Sequence, residues 1–293
     1  MTTAREPLHT VLRGTSGEVV IGHDQRFCLI GERINPTGRR IFQEQLRGGD
    51  LSAIEKDVKA QVECGADVLD VNMGVPLTDE PELLAKAIQL VQKLTDLPIC
   101  IDSSVVEALE AGLSVYQGRA LVNSITAEDD RMEAILPLVK RYDAAIIALP
   151  NDHDEIPMEA DKRFDLTAKI IRVATEEYGI AKADIVIDPL AMPIGADTST
   201  SLVTFEVMRR IRDEFGVNMT CGASNVSFGM PDRHTLNAAW LPMAMMSGLT
   251  SAVMDARTPQ IVNAVKAADV FLNHDDWGMA WIAAHRARSA EAV

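Results

Sequence analysis

The residues of this chain that could do chemistry recur in one setting, the polar end of a short apolar run. Glu32 and Asn35 stand in GERIN, Asp70 and Asn72 in LDVN, Asp102 in ICIDSS, Asn123 in LVNS, Asp188 in VIDPL and Asp255 in VMDA. The stretch GASNVSFG adds Gly222, Ser224, Asn225 and Ser227 in a glycine frame. Carboxylates only accept hydrogen bonds when ionised, and amides can donate or accept. A cup built from them suits a neutral or cationic ligand that mostly donates, and it does not suit a phosphate. Taking an unpaired carboxylate out of water costs several kcal/mol, so such acids need partners, and Arg33 is the only basic residue in these stretches. Each Asp also has a local reading: Asp188 before Pro189 as a turn starter, Asp70 or Asp255 as a helix N-cap. Local turn formation does not explain why acids and amides stand at so many run ends where Gly or Thr would serve.

The common catalytic signatures are absent: the chain has no GxGxxG after a strand, no GxSxG elbow and no HExxH. His9, His23, His153, His234, His274 and His285 fall in loops or on helices, which indicates neither a nucleophile–base pair nor a metal triad, and no protein-bound metal is expected. A paired-carboxylate glycosidase from Asp102 and Asp188 stays open, with the neighbouring Asn residues and the lack of Trp or Tyr near the run ends against it. Cys28, Cys64, Cys100 and Cys221 form no CxxC, so neither a disulfide framework nor a zinc site is indicated. A formal charge of −15 argues against nucleic acid as a partner. The start MTTAREPLHT has no apolar core, and no apolar run approaches the ~20 residues of a membrane span, which makes a reducing cytoplasm the expected location.

The elements that must position these residues alternate. Apolar, β-branched runs at Phe27–Asn35, Val68–Met73, Pro98–Ser103, Ala120–Ile125, Ala144–Pro150, Ile185–Leu190, Asn218–Asn225 and Leu249–Asp255 predict strands buried on both faces. Between and after them, three-to-four-residue periodicity predicts helices over Leu51–Cys64, Glu80–Thr95, Val105–Tyr116, Asp129–Tyr142, Lys162–Tyr178, Ser199–Phe215, His234–Ser247 and Pro259–Leu272, with a further piece near Trp277–Arg288. Eight such units with no linker or low-complexity break predict an α/β fold, a single-domain (β/α)8 TIM barrel over residues 27–288, with residues 1–26 as an extension covering the barrel floor. In such a barrel the strand C-termini form the active face, and that is where the acids and amides fall.

LIGERIN, DVN, IDSS, VNS, IDPL and SNVSFG, in this order and at these strand ends, resemble the pterin-binding barrel family over roughly Phe27 to Leu272. The family's dihydropteroate synthase branch carries Ser-Arg-Lys at the seventh strand and Arg-x-His at the eighth. This chain has GASNVSFG and VMDARTP there, so that activity is not expected. SNVSFG is similar to the other branch, the methyltetrahydrofolate:corrinoid methyltransferases and the folate module of cobalamin-dependent methionine synthase. The resemblance implies a methyl transfer between N5 of tetrahydrofolate and the cobalt of a corrinoid. The corrinoid would be supplied by a partner protein, since the chain has no DxHxxG-like segment. It implies Asp188 and Asp102 as pterin-holding carboxylates, Asn123 on another ring edge, Glu32, Asn35, Asp70, Asn72, Gly222, Ser224 and Ser227 as further pterin contacts, and Asn225 near N5 as the catalytic amide. Arg233 is placed like an arginine facing the folate tail or the corrinoid partner, its alternative being a surface residue at a helix start. One departure is Val105, where some relatives have Asn after the Asp-Ser pair. Related barrels pair, and the Met-rich stretch AAWLPMAMMSG fits a buried helical face, so a homodimer is expected. A dihydropteroate synthase-like enzyme and a non-catalytic pterin-binding protein are the alternatives.

Overall fold

The structure is a computed structural model that describes residues 6–153 and 156–291. An antiparallel hairpin, β1 (Thr10–Arg13) and β2 (Glu18–Ile21), precedes eight parallel strands. These are β3 (Cys28–Ile34), β4 (Val68–Asn72), β5 (Ile99–Asp102), β6 (Leu121–Thr126), β7 (Ala145–Leu149), β8 (Ile185–Ile187), β9 (Asn218–Met219) and β10 (Ser251–Met254). They run side by side in the order β10-β3-β4-β5-β6-β7-β8-β9. The ring closes where Gly222 bridges Val253 and Val253 N–H donates to Cys221 O at 2.9 Å. The fold is a (β/α)8 barrel.

The helices are α1 (Arg40–Arg47), α2 (Ser52–Glu63), α3 (Glu80–Leu94), α4 (Val106–Val115), α5 (Asp129–Arg141), α6 (Ala160–Arg172), α7 (Thr200–Phe215), α8 (Arg233–Ser247), α9 (Pro259–Phe271) and α10 (Met279–Glu291). Those from α1 to α9 bury an apolar face in the core, and α10 packs against α9. In α3 the stripe is Leu84, Ala87, Ile88 and Val91, and the helix begins where the Asp79 carboxylate accepts from Glu82 N–H at 3.1 Å. Among the described residues no helix is long and apolar enough to cross a membrane. Cys28, Cys100 and Cys221 are buried and all four cysteines are free.

The hairpin closes the N-terminal end of the strands. Leu12 and Ile21 are fully buried among Ile30, Val68, Cys100, Leu121 and Val186 of the barrel interior. Polar bonds tie the hairpin to the barrel there: Asn218 Nδ2 donates to Ile21 O at 2.8 Å, and Arg119 donates to Val11 O at 2.7 Å while its Nη2 lies 2.7 Å from Asp184 Oδ2.

Four sequence-based expectations need correction. Helix α1 lies between the first barrel strand and α2, where one short amphipathic turn pair carries too little periodicity to stand out. The sixth strand ends at Ile187 rather than Leu190. The seventh strand is Asn218–Met219, not Asn218–Asn225, because Ala223–Ser227 coils into a 3-10 turn with Asn225 N–H on Gly222 O and Phe228 N–H on Asn225 O. Neither Asp70 nor Asp255 caps a helix: Asp70 lies within β4, and Asp255 binds the Arg257 guanidinium at 2.6 and 2.8 Å.

Candidate active site

A cavity of about 170 Å³ opens at the C-terminal ends of the strands. Glu32, Asn35, Asp70, Asp102, Asn123, Asp188, Gly222 and Asn225 line it, together with Ile147, Thr220 and Val253. Among the described residues no Lys or Arg lines it. The polar walls come from strands far apart in the chain, and two ladder irregularities fall on them. The β3–β4 register shifts between Gly31 and Ile34, and the β6–β7 register between Asn123 and Ile125. A bulge re-aims side chains, and here the shifts bracket Glu32 and adjoin Asn123. The first is held from outside the barrel, since Arg33 N–H leaves the ladder and donates to Gln61 Oε1 of α2 at 3.0 Å. Gly31 makes room for that amide: a Cβ there would stand 2.3 Å from Gln61 Oε1.

Desolvation dominates the electrostatics of the cup. Burial, then the charge of Asp102, pushes the Asp70 carboxyl well above the carboxylate range, against a bond from Asn123 Nδ2 at 3.4 Å. Burial lifts Asp102 to about 6, against a bond from Asn72. Asp188, enclosed by protein yet open to the cavity, is lifted by burial to about 7 although Leu190 N–H donates to its Oδ1 at 2.8 Å and Arg163 lies nearby. That Leu190 bond is the local turn anticipated at Asp188-Pro189, so the turn and the cavity wall are the same residue. Burial, then Asp102 and Asp255, lifts Glu32 to about 7 against the pull of Arg233. Near pH 7 the cup therefore holds part of its acid in the neutral form.

Asn225 is exposed at the rim, on the 3-10 turn after β9. Gly222 lets the turn close: a Cβ there would come within 2.9 Å of Asn225 Nδ2. Ser224, Ser227 and Arg233 do not line the cavity and instead build the turn. Arg233, first residue of α8, donates from Nη2 to Ser224 O at 2.6 Å and from Nε to the buried Ser227 Oγ at 3.1 Å, and lies over the Phe228 ring at 5.8 Å. It is therefore a brace of the Asn225 turn rather than a free surface residue. Asn72 also stands behind the wall, accepting from Gly74 N–H at 2.9 Å and bonding to Asp102.

The sequence reading missed several residues. Thr220 lies on the cavity wall with its buried Oγ1 unpartnered, and no local pattern marks it. Arg163 of α6 is fully buried, donating from Nη1 to Pro189 O at 3.1 Å and Leu190 O at 2.9 Å, and so fixes the loop that carries Asp188. His153 comes near two carboxylates, with Nδ1 3.7 Å from Glu128 Oε1 and Nε2 3.5 Å from Asp130 Oδ1. This is the one potential metal-ligand group among the described residues, and Asp130 and His153 in it are exposed.

A family model described as pterin binding enzyme matches residues 31–255. The methylcorrinoid:tetrahydrofolate methyltransferase of Eubacterium limosum is 30% identical over 253 residues, covering 84% of this chain and 92% of that protein. The methionine synthase of Mycobacterium tuberculosis is 30% identical over 251 residues, covering 81% of this chain and 21% of that protein, so the chain spans about a fifth of its length. Among solved structures, a dihydropteroate synthase of Xanthomonas albilineans with 4-aminobenzoic acid superposes with a TM-score of 0.67 at 19% identity, covering 89% of this chain and 98% of that one. The dihydropteroate synthase of Yersinia pestis gives 0.65 at 14% identity, covering 90% and 98%. These two likenesses are of fold.

Proposed function

The chain belongs to the pterin-binding enzyme family, and from that premise we propose that it moves a methyl group between N5 of tetrahydrofolate and the cobalt of a corrinoid carried by a partner protein. The observation that carries this reading is the lining of the cup: acceptors on its walls, the Asn225 amide at its rim, and among the described residues no cation for a pterin diphosphate. A pterin ring offers an amide N–H beside an exocyclic amino group, a donor pair that one carboxylate accepts on both oxygens. Asp188 takes that pair in our reading, with Asp102 and Asn123 on further ring edges and Glu32, Asn35, Asp70 and Asn72 completing or backing the wall. Ligand donors that replace lost water favour the ionised form of these acids.

Methyl transfer is an in-line displacement with a poor amine leaving group, so positive charge at N5 must be supported. Asn225, fixed by Gly222, Ser224, Ser227 and Arg233, supplies a preorganised dipole there that can accept or donate as N5 changes state. Holding the folate in the cup would supply proximity. Arg233 keeps Nη1 for the folate tail or the corrinoid partner. The protein acts in the cytoplasm as a homodimer, without nucleic acid, membrane or bound metal, and Met243 and Met246, half or more exposed on α8, fit a subunit contact. Light scattering that returns only ~32 kDa at micromolar concentration rejects the dimer.

The test of the activity is to mix the protein with 5-methyltetrahydrofolate and cob(I)alamin and follow the cobalt spectrum. Loss of the Co(I) band with formation of methylcobalamin is expected. Folate binding with no spectral change would leave a pterin-binding protein without this activity.

A further inference from the structure

Charge is divided unevenly around the mouth of the barrel. Past the ends of β6 and β7 stand Glu128, Asp129, Asp130 and Asp152, and the lysines there are engaged by them: Lys169 Nζ lies 2.7 Å from Asp129 Oδ1 and Lys162 Nζ 3.8 Å from Asp152 Oδ1. Across the ring the balance reverses. Arg33 stands near the end of β3, Arg39 and Arg40 at the start of α1, and Arg257 past the end of β10. The acids they touch are two. Arg33 Nε lies 3.8 Å from Asp57 Oδ1 and Arg39 Nη1 2.7 Å from Asp57 Oδ2, while Arg257 takes both oxygens of Asp255 at 2.6 and 2.8 Å.

These cations keep donors in hand. Arg33 Nε is buried without a hydrogen bond, Arg257 engages Nε and Nη2 only, and Arg39 uses Nη1 alone, on Asp57 and Arg33 O. Burial, then the charges of Arg39 and Arg257, pulls the Arg33 guanidinium below its usual range. Helix α1 has no acid in its first turn, where negative charge is favoured, and opens on arginines instead. An anion bound among them would satisfy these donors and relieve the repulsion.

The cluster adjoins the cup. The β3 bulge sends neighbouring residues two ways, Glu32 to the cavity wall and Arg33 to Asp57 of α2. On β10, Val253 lines the cavity, Asp255 and Arg257 follow it, and Met254 pairs with Gly31, so the two strand ends lie side by side. Arg233, past β9, spends Nε on Ser227 Oγ and Nη2 on Ser224 O. Tetrahydrofolate carries its pterin at one end and, beyond a p-aminobenzoyl spacer, a glutamate at the other. Each further glutamate joined through the side-chain carboxyl adds one carboxylate. Resting on the folate reading above, we propose that Arg33, Arg39 and Arg257 bind the carboxylates of this glutamate tail, so that the protein prefers folates carrying several glutamates. Guanidinium forks match carboxylates in geometry as well as charge, and the acids past β6 and β7 repel the tail from the far side. Asp57 and Asp255 hold the forks in place.

The experiment is calorimetric titration, without corrinoid, of three ligands: 5-methyltetrahydrofolate with one glutamate, the same with four, and 6-methyltetrahydropterin, which has no tail. The proteins are the wild type, Arg33→Gln/Arg257→Gln, Arg257→Gln and Arg233→Gln, with folding followed by circular dichroism. The wild type should bind the four-glutamate form about tenfold more tightly than the one-glutamate form at low salt, and less so as salt rises. In the double variant that advantage should fall to within about twofold, with the tail-less pterin bound as by the wild type. Arg233→Gln should weaken all three ligands alike and leave the advantage in place. A wild type that binds folate without regard to tail length overturns the proposal and leaves the folate reading standing. An advantage that survives the double variant, or that Arg233→Gln abolishes, overturns it as well. So does a double variant that weakens the tail-less pterin as much as the folates, since the cluster would then only shape the cup. Unchanged titrations with a raised KM for cob(I)alamin in methyl transfer would place the corrinoid phosphate on the arginines, again overturning it. If the double variant does not fold, Arg257→Gln decides: an advantage reduced about threefold supports the proposal and an undiminished one overturns it. A wild type that binds no folate removes the folate reading and this site together, an outcome seen before any variant is made.

Discussion

At the N-terminal end of the strands, Arg119 meets Asp184 and a hairpin carbonyl, Asn218 satisfies two strands of the hairpin, and Leu12 and Ile21 fill what space is left. At the C-terminal end, Glu32 has no hydrogen-bond or ion-pair partner among the described residues, Thr220 Oγ1 is buried and unbonded, and Glu32, Asp102 and Asp188 are raised to between about 6 and about 7. The same eight strands thus carry one end tied to the hairpin by hydrogen bonds and apolar packing and one end that gathers acids raised by burial. Cavity size does not mark which is which. A space of about 610 Å³ lies beside the hairpin between Arg26, Asp67, Lys266 and Asp269, larger than the cup. Its acids are occupied with backbone: Asp67 accepts from Leu29 N–H at 2.8 Å and Asp269 from Phe27 N–H at 3.0 Å. In the cup, by contrast, Glu32 has no hydrogen-bond or ion-pair partner among the described residues.

The sharpest way to break this comparison is to cut each end in turn. Leu12→Ala should remove about 3 kcal/mol of stability through the cavity it leaves, read from denaturant unfolding, while folded molecules bind folate as before. A matching loss of folate affinity would show that floor and cup are not separable. At the other end, Asn225→Ala should slow single-turnover methyl transfer by about 10²-fold, or about 2.7 kcal/mol, and change stability by less than about 0.5 kcal/mol. Asn225→Asp should keep binding of the N5–H form better than transfer from the methylated form. Near-wild-type rates for it would leave Asn225 a turn residue only.

Smaller effects sharpen the contrast. Asp188→Asn and Asp102→Asn should each weaken folate binding by at least about 1.5 kcal/mol in calorimetry with the fold intact, since each removes a charge-assisted acceptor. Unchanged affinity in both would overturn the pterin orientation. The same acids predict a pH dependence of the folate-free protein. Asp188 ionises near its ordinary 3.8 when unfolded and at about 7 when folded, so between these values the folded state holds a proton that the unfolded chain has released. The stability from that proton is full below about 4 and is lost as pH rises through about 7. The melting temperature should therefore fall from about pH 5 to pH 8, and Asp188→Asn should flatten the fall. A curve that rises over this window contradicts the description of the cup.

Much of this was legible in the chain because the barrel repeats a local pattern. Strands buried on both faces and helices with one apolar stripe announce themselves within a few residues, and an acid or amide at a strand end falls on the active face of a parallel barrel wherever it occurs. That rule alone marked Glu32, Asp70, Asp102, Asn123 and Asp188, which line one cavity. The details that decide chemistry come from partners distant in sequence. Gln61, 28 residues from Arg33, makes the bulge that turns Glu32 inward. Arg163 fixes the Asp188 loop across 26 and 27 residues through the carbonyls of Pro189 and Leu190. Arg233 and Gly222 convert an expected strand into the turn that lifts Asn225 to the rim. Periodicity records which face of an element is buried, and so the sequence by itself determined the barrel and the identity of its strand-end acids. Which acid is bonded, which is left free, and how far burial shifts each one depend on dielectric and contacts summed over the whole ring, and these only the tertiary structure decided.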